Sequence, residues 1–302
     1  MDSNVQSLKT FLGSAARLAL VEVAGTKGST PREKGAFMLV SSAAIFGTIG
    51  GGQLEYMAID KARRMVAPSG GSNRLRSTSR IKADEVCASL DVPLGPEIGQ
   101  CCGGRVEVLI RLVNAALAAE LVAAAEAEEA QLPHVYIFGG GHVGQALAST
   151  VALLPVHCVV IETRAEALEG MPETIETRLT PMPEAEVRNA PAGTAFAILT
   201  HDHALDFLIV AEALKRGDAA YVGMIGSKTK KATFRNWFLK SADGAEAEFA
   251  RLVSPIGGDA VKDKRPPVIA ALAAAEIMTA LIVHNVASNS GHHAPQGKAM
   301  AG

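Results

Sequence analysis

Apolar and polar positions follow two different rhythms along this chain, and the change between them marks its organisation. In the first part, apolar residues recur at helical spacing near Val5–Ala15 and over Gln53–Val66, so both stretches are expected to be helices. Between them, Leu18–Val23 and Ala36–Val40 predict strands on either side of a loop at Gly25–Gly35. Arg74–Arg80 and Arg105–Leu112 place apolar and polar side chains by turns, as half-buried strands do. Residues 1–113 therefore read as a small α+β domain. The next stretch, AALAAELVAAAEAEEAQ, is a strong helix former ended by Pro133, which makes residues 114–132 a helical linker and a domain boundary.

Beyond it, short apolar strands at Val135–Phe138, His157–Ile161, Ala195–Thr200 and Tyr221–Ile225 alternate with helical stretches near Gly144–Leu153, Asp206–Lys215 and Lys228–Leu239. Such alternation implies a parallel sheet with right-handed crossovers. The fold class expected is thus α/β, a parallel-sheet domain over residues 133–286 preceded by the smaller α+β domain. An alanine-rich helix, Pro267–His284, closes that domain, and residues 287–302 are expected to be a disordered polar tail.

Composition narrows the function classes. At 302 residues and 48% hydrophobic content, the chain can bury two ordinary cores. With 29 basic against 31 acidic residues and a net charge of −2, no electrostatic footprint points to nucleic acid or to an anionic membrane. Met1-Asp2-Ser3-Asn4 lacks a basic leader, and no apolar run is expected to reach the roughly 20 residues that span a bilayer, so a cytoplasmic location is expected. Of the four cysteines Cys87, Cys101, Cys102 and Cys158, the adjacent pair is poorly placed to bridge, which argues for reduced thiols.

Chemistry concentrates in glycine-rich turns. Gly139-Gly140-Gly141-His142-Val143-Gly144 follows a buried strand and opens a helix, with Glu162 closing the next strand about 20 positions on. In that context Gly139 permits the turn, Gly141 admits a pyrophosphate to the backbone, and Gly144 allows close helix packing, the signature of a Rossmann unit. Glu162 would hold a ribose diol or cap the following turn. Ligands of open parallel sheets lie beyond the carboxyl ends of strands, where Thr200-His201-Asp202-His203 and Gly226-Ser227-Lys228 also fall. There His201 is either a ligand contact or a surface group beside a cap at Asp202. Ser227 caps a helix whose Lys228, Lys230 and Lys231 either face the ligand or form a solvated face.

Two further clusters lie in the first domain. Thr48–Glu55 is a glycine run entering a helix, suited to an anion, or else a tight turn in which Glu55 complements the helix dipole. Gly99-Gln100-Cys101-Cys102-Gly103-Gly104 places thiols between glycines, and favours a functional thiolate that binds a soft metal or accepts sulfur.

Together the motifs Gly28–Arg32, Gly51–Glu55, Leu94–Gly104, Phe138–Gly144, Thr200–Asp206, Val222–Lys228 and Pro255–Gly257 with Asp263–Pro266 resemble the XdhC/CoxI family, in its branch of xanthine dehydrogenase accessory proteins. The resemblance covers most of the chain. It departs at Glu162, where many relatives carry Asp. It implies a chaperone rather than a turnover enzyme, one that binds the molybdenum cofactor, supports its sulfuration with an L-cysteine desulfurase, delivers it to apo-xanthine dehydrogenase and self-associates. On that reading Gly139, Gly141, His142 and Gly144 contact phosphate or pterin, Gln53 and Glu55 hold polar edges of the pterin, and Cys101 or Cys102 meets molybdenum or sulfide. The rival readings are an NAD(P)-dependent oxidoreductase, for which no catalytic Tyr-Lys pair is evident, and a pure assembly adaptor.

Overall fold

The computed structural model describes residues 4–67, 87–94 and 103–291, which divide into two compact units between Glu128 and Glu129. In the first unit the elements run α1 (Asn4–Gly13), β1 (Ala19–Lys27), β2 (Phe37–Val40), β3 (Ile45–Gly47), α2 (Gly52–Val66), β4 (Cys87–Pro93), β5 (Arg105–Leu112) and α3 (Ala115–Ala130). The strands form an antiparallel sheet in the order β3-β2-β1-β5-β4. Period-two alternation gives this sheet two apolar faces. Val21, Val23, Met38, Val108 and Ile110 pack against Leu54, Ala58 and Ala62 of α2. Leu20 and Leu39 meet Leu8 of α1 and Leu117 and Leu121 of α3 on the other side. Strand β1 extends to Lys27, past a register shift between Val23 and Gly25, so it takes up the start of the predicted Gly25–Gly35 loop. The predicted strand Arg74–Arg80 lies outside the described residues.

The second unit runs β6 (His134–Phe138), α4 (His142–Val151), β7 (His157–Glu162), β8 (Glu176–Leu179), α5 (Pro183–Asn189), β9 (Ala195–Ile198), α6 (His203–Lys215), β10 (Tyr221–Met224), α7 (Lys228–Ser241), α8 (Glu246–Phe249), β11 (Leu252–Val253) and α9 (Pro266–Gly291). Its six strands are parallel, in the order β11-β10-β9-β6-β7-β8. From β6 the chain winds outward through β7 to β8, then returns to the other side of β6 and continues through β9, β10 and β11. The winding direction therefore reverses between β6 and β9, and a crevice opens at the carboxyl ends of those two strands. Near-continuous apolar strands such as Val135–Phe138 reflect burial on both faces, with α4 and α9 on one side and α5, α6 and α7 on the other.

Two expectations about the carboxyl-terminal region need correction. Helix α9 continues to Gly291, so residues 287–291 of the predicted tail are helical, and the remainder lies outside the described residues. Its stretch Pro266–Ser288 is 23 residues long and apolar enough to cross a membrane by length and composition. One face of it serves packing: Ala270, Ala273, Ala274, Ile277 and Leu281 recur at helical spacing and are buried in the core, while Ile282, Val283 and Val286 are exposed.

Candidate functional site

At the crevice between β6 and β9 lies a cavity of about 200 Å³ whose walls include Gly139, Gly141, His142, Glu162, Arg164, Thr200, His201 and Ile225. The glycines there act differently. Gly139 has φ +108°, and a Cβ on it would sit 2.7 Å from the Leu199 carbonyl oxygen. A Cβ on Gly140 would lie 2.3 Å from the Ala167 oxygen, and one on Gly144 would lie 1.9 Å from the Gly139 oxygen. These three allow backbones to pack. Gly141, the N-cap of α4, has no atom within 4 Å of its would-be Cβ, so it keeps the approach to the helix N-terminus open. The first amides of α4 have no acceptor within the helix, and the helix dipole favours an anion at that end.

Glu162, 5% exposed at the end of β7, ties this turn together. Its Oε2 accepts from the Gly140 N–H at 2.9 Å and from the Arg164 guanidinium at 3.4 Å. Oε1 accepts from the Thr163 N–H at 2.8 Å, the Thr163 hydroxyl at 3.1 Å and the Arg164 N–H at 3.2 Å. Burial opposes its ionisation, but these donors prevail and hold the carboxyl below the usual range. Five donors on roughly four lone-pair sites leave a ribose diol no acceptor unless one is displaced.

The opposite wall is braced from beneath. Asp206, fully buried in the first turn of α6, accepts from the Thr200 N–H at 3.1 Å and the Thr200 hydroxyl at 2.7 Å. Its second oxygen pairs with Lys230, which also donates to the Ile225 carbonyl at 3.0 Å. One buried ion pair thus joins the loops that follow β9 and β10, and both Thr200 and Ile225 line the cavity. Sequence pattern missed this pair because a lysine in KTKK reads as part of a solvated face. The available signal is a second aspartate, Asp206, in the first turn of α6, four residues after the Asp202 cap.

The cavity brings together Gly139, Gly141, His142, Glu162 and His201 of the expected site, with Gly144 packed beneath the turn. Ser227 and Lys228 are not among its lining residues. The Ser227 hydroxyl is engaged in accepting the Lys230 N–H, and the Lys228 side chain is 86% exposed with its ammonium 3.4 Å from Asp259. Asp202 caps α6 through the Ala204 and Leu205 amides. Arg164 lines the cavity although it is not among the expected site residues; its position just past a strand end is the signal that marks it.

In the first unit, the Glu55 Oε2 accepts from the Thr48 hydroxyl at 2.5 Å and from the Ile49 and Gly51 amides at 3.0 Å each. Burial raises its pKa, but these hydrogen bonds outweigh it and the carboxyl lies below its ordinary value. The glycine run is therefore a strand-to-helix turn that folds around its own carboxylate, while Gln53 is exposed. A Cβ on Gly50 would sit 2.8 Å from Pro31, and one on Gly104 would sit 2.2 Å from the Ser29 oxygen, so the Gly28–Arg32, Thr48–Gly52 and Gly103–Gly104 segments lie beside one another. Cys101 and Cys102 lie outside the described residues. Of the other thiols, Cys87 is exposed, and burial pushes Cys158 up to about 12.

A family model described as the XdhC Rossmann domain matches residues 135–277, and one described as the XdhC and CoxI family matches residues 12–77. The uncharacterized protein YqeB of Escherichia coli (strain K12) is 26% identical over 269 residues, which is 86% of this chain and 43% of that protein. The chain thus spans less than half of that relative's length. A crystal structure described as a xanthine dehydrogenase from Bacillus halodurans aligns with a TM-score of 0.73 over 97% of this chain and 98% of that one. At 17% identity this is a likeness of fold.

Proposed function

Because this chain belongs to the XdhC and CoxI family, we propose that it is a maturation factor for xanthine dehydrogenase that binds the molybdenum cofactor and hands it to the apoenzyme. The observation that carries the reading is the cavity at the β6–β9 crevice, where an unobstructed Gly141, the start of α4 and Arg164 converge. Molybdopterin carries a terminal phosphate, and that group suits a helix N-terminus beside a guanidinium. At about 200 Å³ the cavity is smaller than typical ligand pockets of roughly 300–1,000 Å³, so it takes one end of the ligand rather than all of it. Gly139, Gly141 and His142 would hold the phosphate end, and His201 would border it. By the same family reading, Cys101 or Cys102 would take up sulfide during sulfuration with an L-cysteine desulfurase. When bound, the cofactor supplies the redox chemistry of the enzyme that receives it. This chain's residues bind, orient and shield it, without turnover of their own, in a cytoplasmic homo-oligomer.

One observation favours a second reading, an NAD(P)-dependent oxidoreductase: the strand order of the second unit is also that of dinucleotide-binding domains. Titrating the purified full chain with molybdenum cofactor, NAD(H) and NADP(H) separates the two. Saturable cofactor binding is expected; nucleotide binding at micromolar concentration without cofactor binding would overturn the maturation role.

A further inference from the structure

In the cavity of the second unit the acidic residue and the basic residue have exchanged the duties that its glycine turn suggests. Glu162 stands where a Rossmann unit places the carboxylate that reads a ribose diol. Its two oxygens are taken by the Gly140, Thr163 and Arg164 donors, so it acts inward, as the strut of the turn. Arg164 is under-used by comparison. Among the described residues its guanidinium has one partner, Glu162, at 3.4 Å, and its Nε is buried without any acceptor. Its side chain stays 40% exposed, on the wall of the cavity. Arginine cannot shed its proton in a protein, and its planar fork matches the oxygens of a phosphate in a bidentate arrangement.

We propose that Arg164, rather than Glu162, reads the ligand in this cavity, and that it does so by recognising a phosphate monoester. This deepens the cofactor reading given above and rests on it for the location of the site. A monoester carries a charge of roughly −1.5 to −2 at neutral pH and offers three acceptor oxygens, enough to satisfy the open edge of Arg164 while the Gly141 backbone lies alongside. A diol has no charge to offer Arg164 and finds Glu162 already saturated. The phosphate of a pterin and the 2′-phosphate of a nucleotide share the chemistry that Arg164 reads.

The test uses the full chain and two pairs of probes that differ by that phosphate: the metal-free oxidised pterin phosphate against its phosphatase-treated form, and NADP+ against NAD+. Affinities come from fluorescence and calorimetry. The phosphorylated member of a binding pair is expected to bind roughly tenfold tighter or more. Arg164→Met, checked to be folded by its melting transition, should bring the ratio close to one by weakening the phosphorylated member, and Arg164→Lys should recover part of the preference. Equal binding of both members by the wild-type chain, a preference that survives Arg164→Met, or no binding of any probe overturns the proposal. A preference for NADP+ over NAD+ with no pterin binding would uphold Arg164 and sink the pterin reading. Pterin binding indifferent to its phosphate would do the reverse.

Discussion

The two glycine turns of this chain look alike in sequence and differ in what they leave open. Each leads into a helix and each has a carboxylate that accepts backbone amides. In the first unit the carboxylate is Glu55, from the same helix, and three donors converge on its Oε2, so the turn is closed upon its own anion. In the second unit the carboxylate is Glu162, from the neighbouring strand, and it accepts Gly140 from behind the turn; Gly141 and Gly51 both have open space beside them, but only the Gly51 amide is drawn onto the carboxylate of its own turn. A glycine run before a helix is therefore not itself an anion site. What matters is whether a side chain of the fold already occupies the place of the anion, and only the second turn leaves that place free.

The largest effect should come from the brace beneath the second turn. Lys230→Met leaves Asp206 charged and buried without its partner, which costs about 3–5 kcal/mol of stability, read from the urea midpoint. A smaller loss would show that the pair does not hold the loops after β9 and β10 together.

The two carboxylates differ next. Glu162 uses both oxygens, so Glu162→Gln replaces an acceptor with an amide that faces donors, at a cost of about 1–3 kcal/mol. Glu55 uses one oxygen, which a Gln carbonyl can reproduce, so Glu55→Gln should cost under about 1 kcal/mol. Both carboxyls lie below their ordinary value of 4.5 in the folded protein. The unfolded chain then binds more protons between each folded value and 4.5, so this stability is complete above that window and is lost as pH falls through it. Urea midpoints taken down through the carboxylate range should show a shallower acid loss in Glu162→Gln than in the wild type. An unchanged acid limb would remove Glu162 from the account.

Much of the second unit was legible in sequence because its signals are local. Apolar strands buried on both faces, and a glycine turn between strand and helix, declare themselves within a few residues. The strands that escape such a reading lack such runs: Glu-Thr-Arg-Leu in β8 is an exposed edge, Cys87–Pro93 in β4 buries only alternate positions, β11 has two residues, and β3 has three. The glycines of the turn are legible where backbone geometry demands them, as at Gly139 and Gly144. Side chains are obscure where a partner distant in sequence sets the role. Lys228 and Lys230 look equivalent in sequence, yet one is solvated and the other is buried against Asp206, 24 residues away. For Glu162 the sequence leaves two roles open, a ribose contact or a cap of the following turn; four of its five donors come from Thr163 and Arg164 next in the chain, as a cap requires, and only the Gly140 amide reaches it from another loop.

The smallest expected effect on stability, and the most direct test of the central claim, comes from Gly141→Val. The position has extended backbone and no neighbour within 4 Å, so the variant should fold and melt as the wild type does. If the open turn of the second unit receives the cofactor, equilibrium binding of molybdenum cofactor to this variant should be at least roughly tenfold weaker than to the wild type, because the valine side chain occupies the ligand's approach to the backbone. Full affinity in the folded variant would contradict the account and place the site elsewhere in the chain.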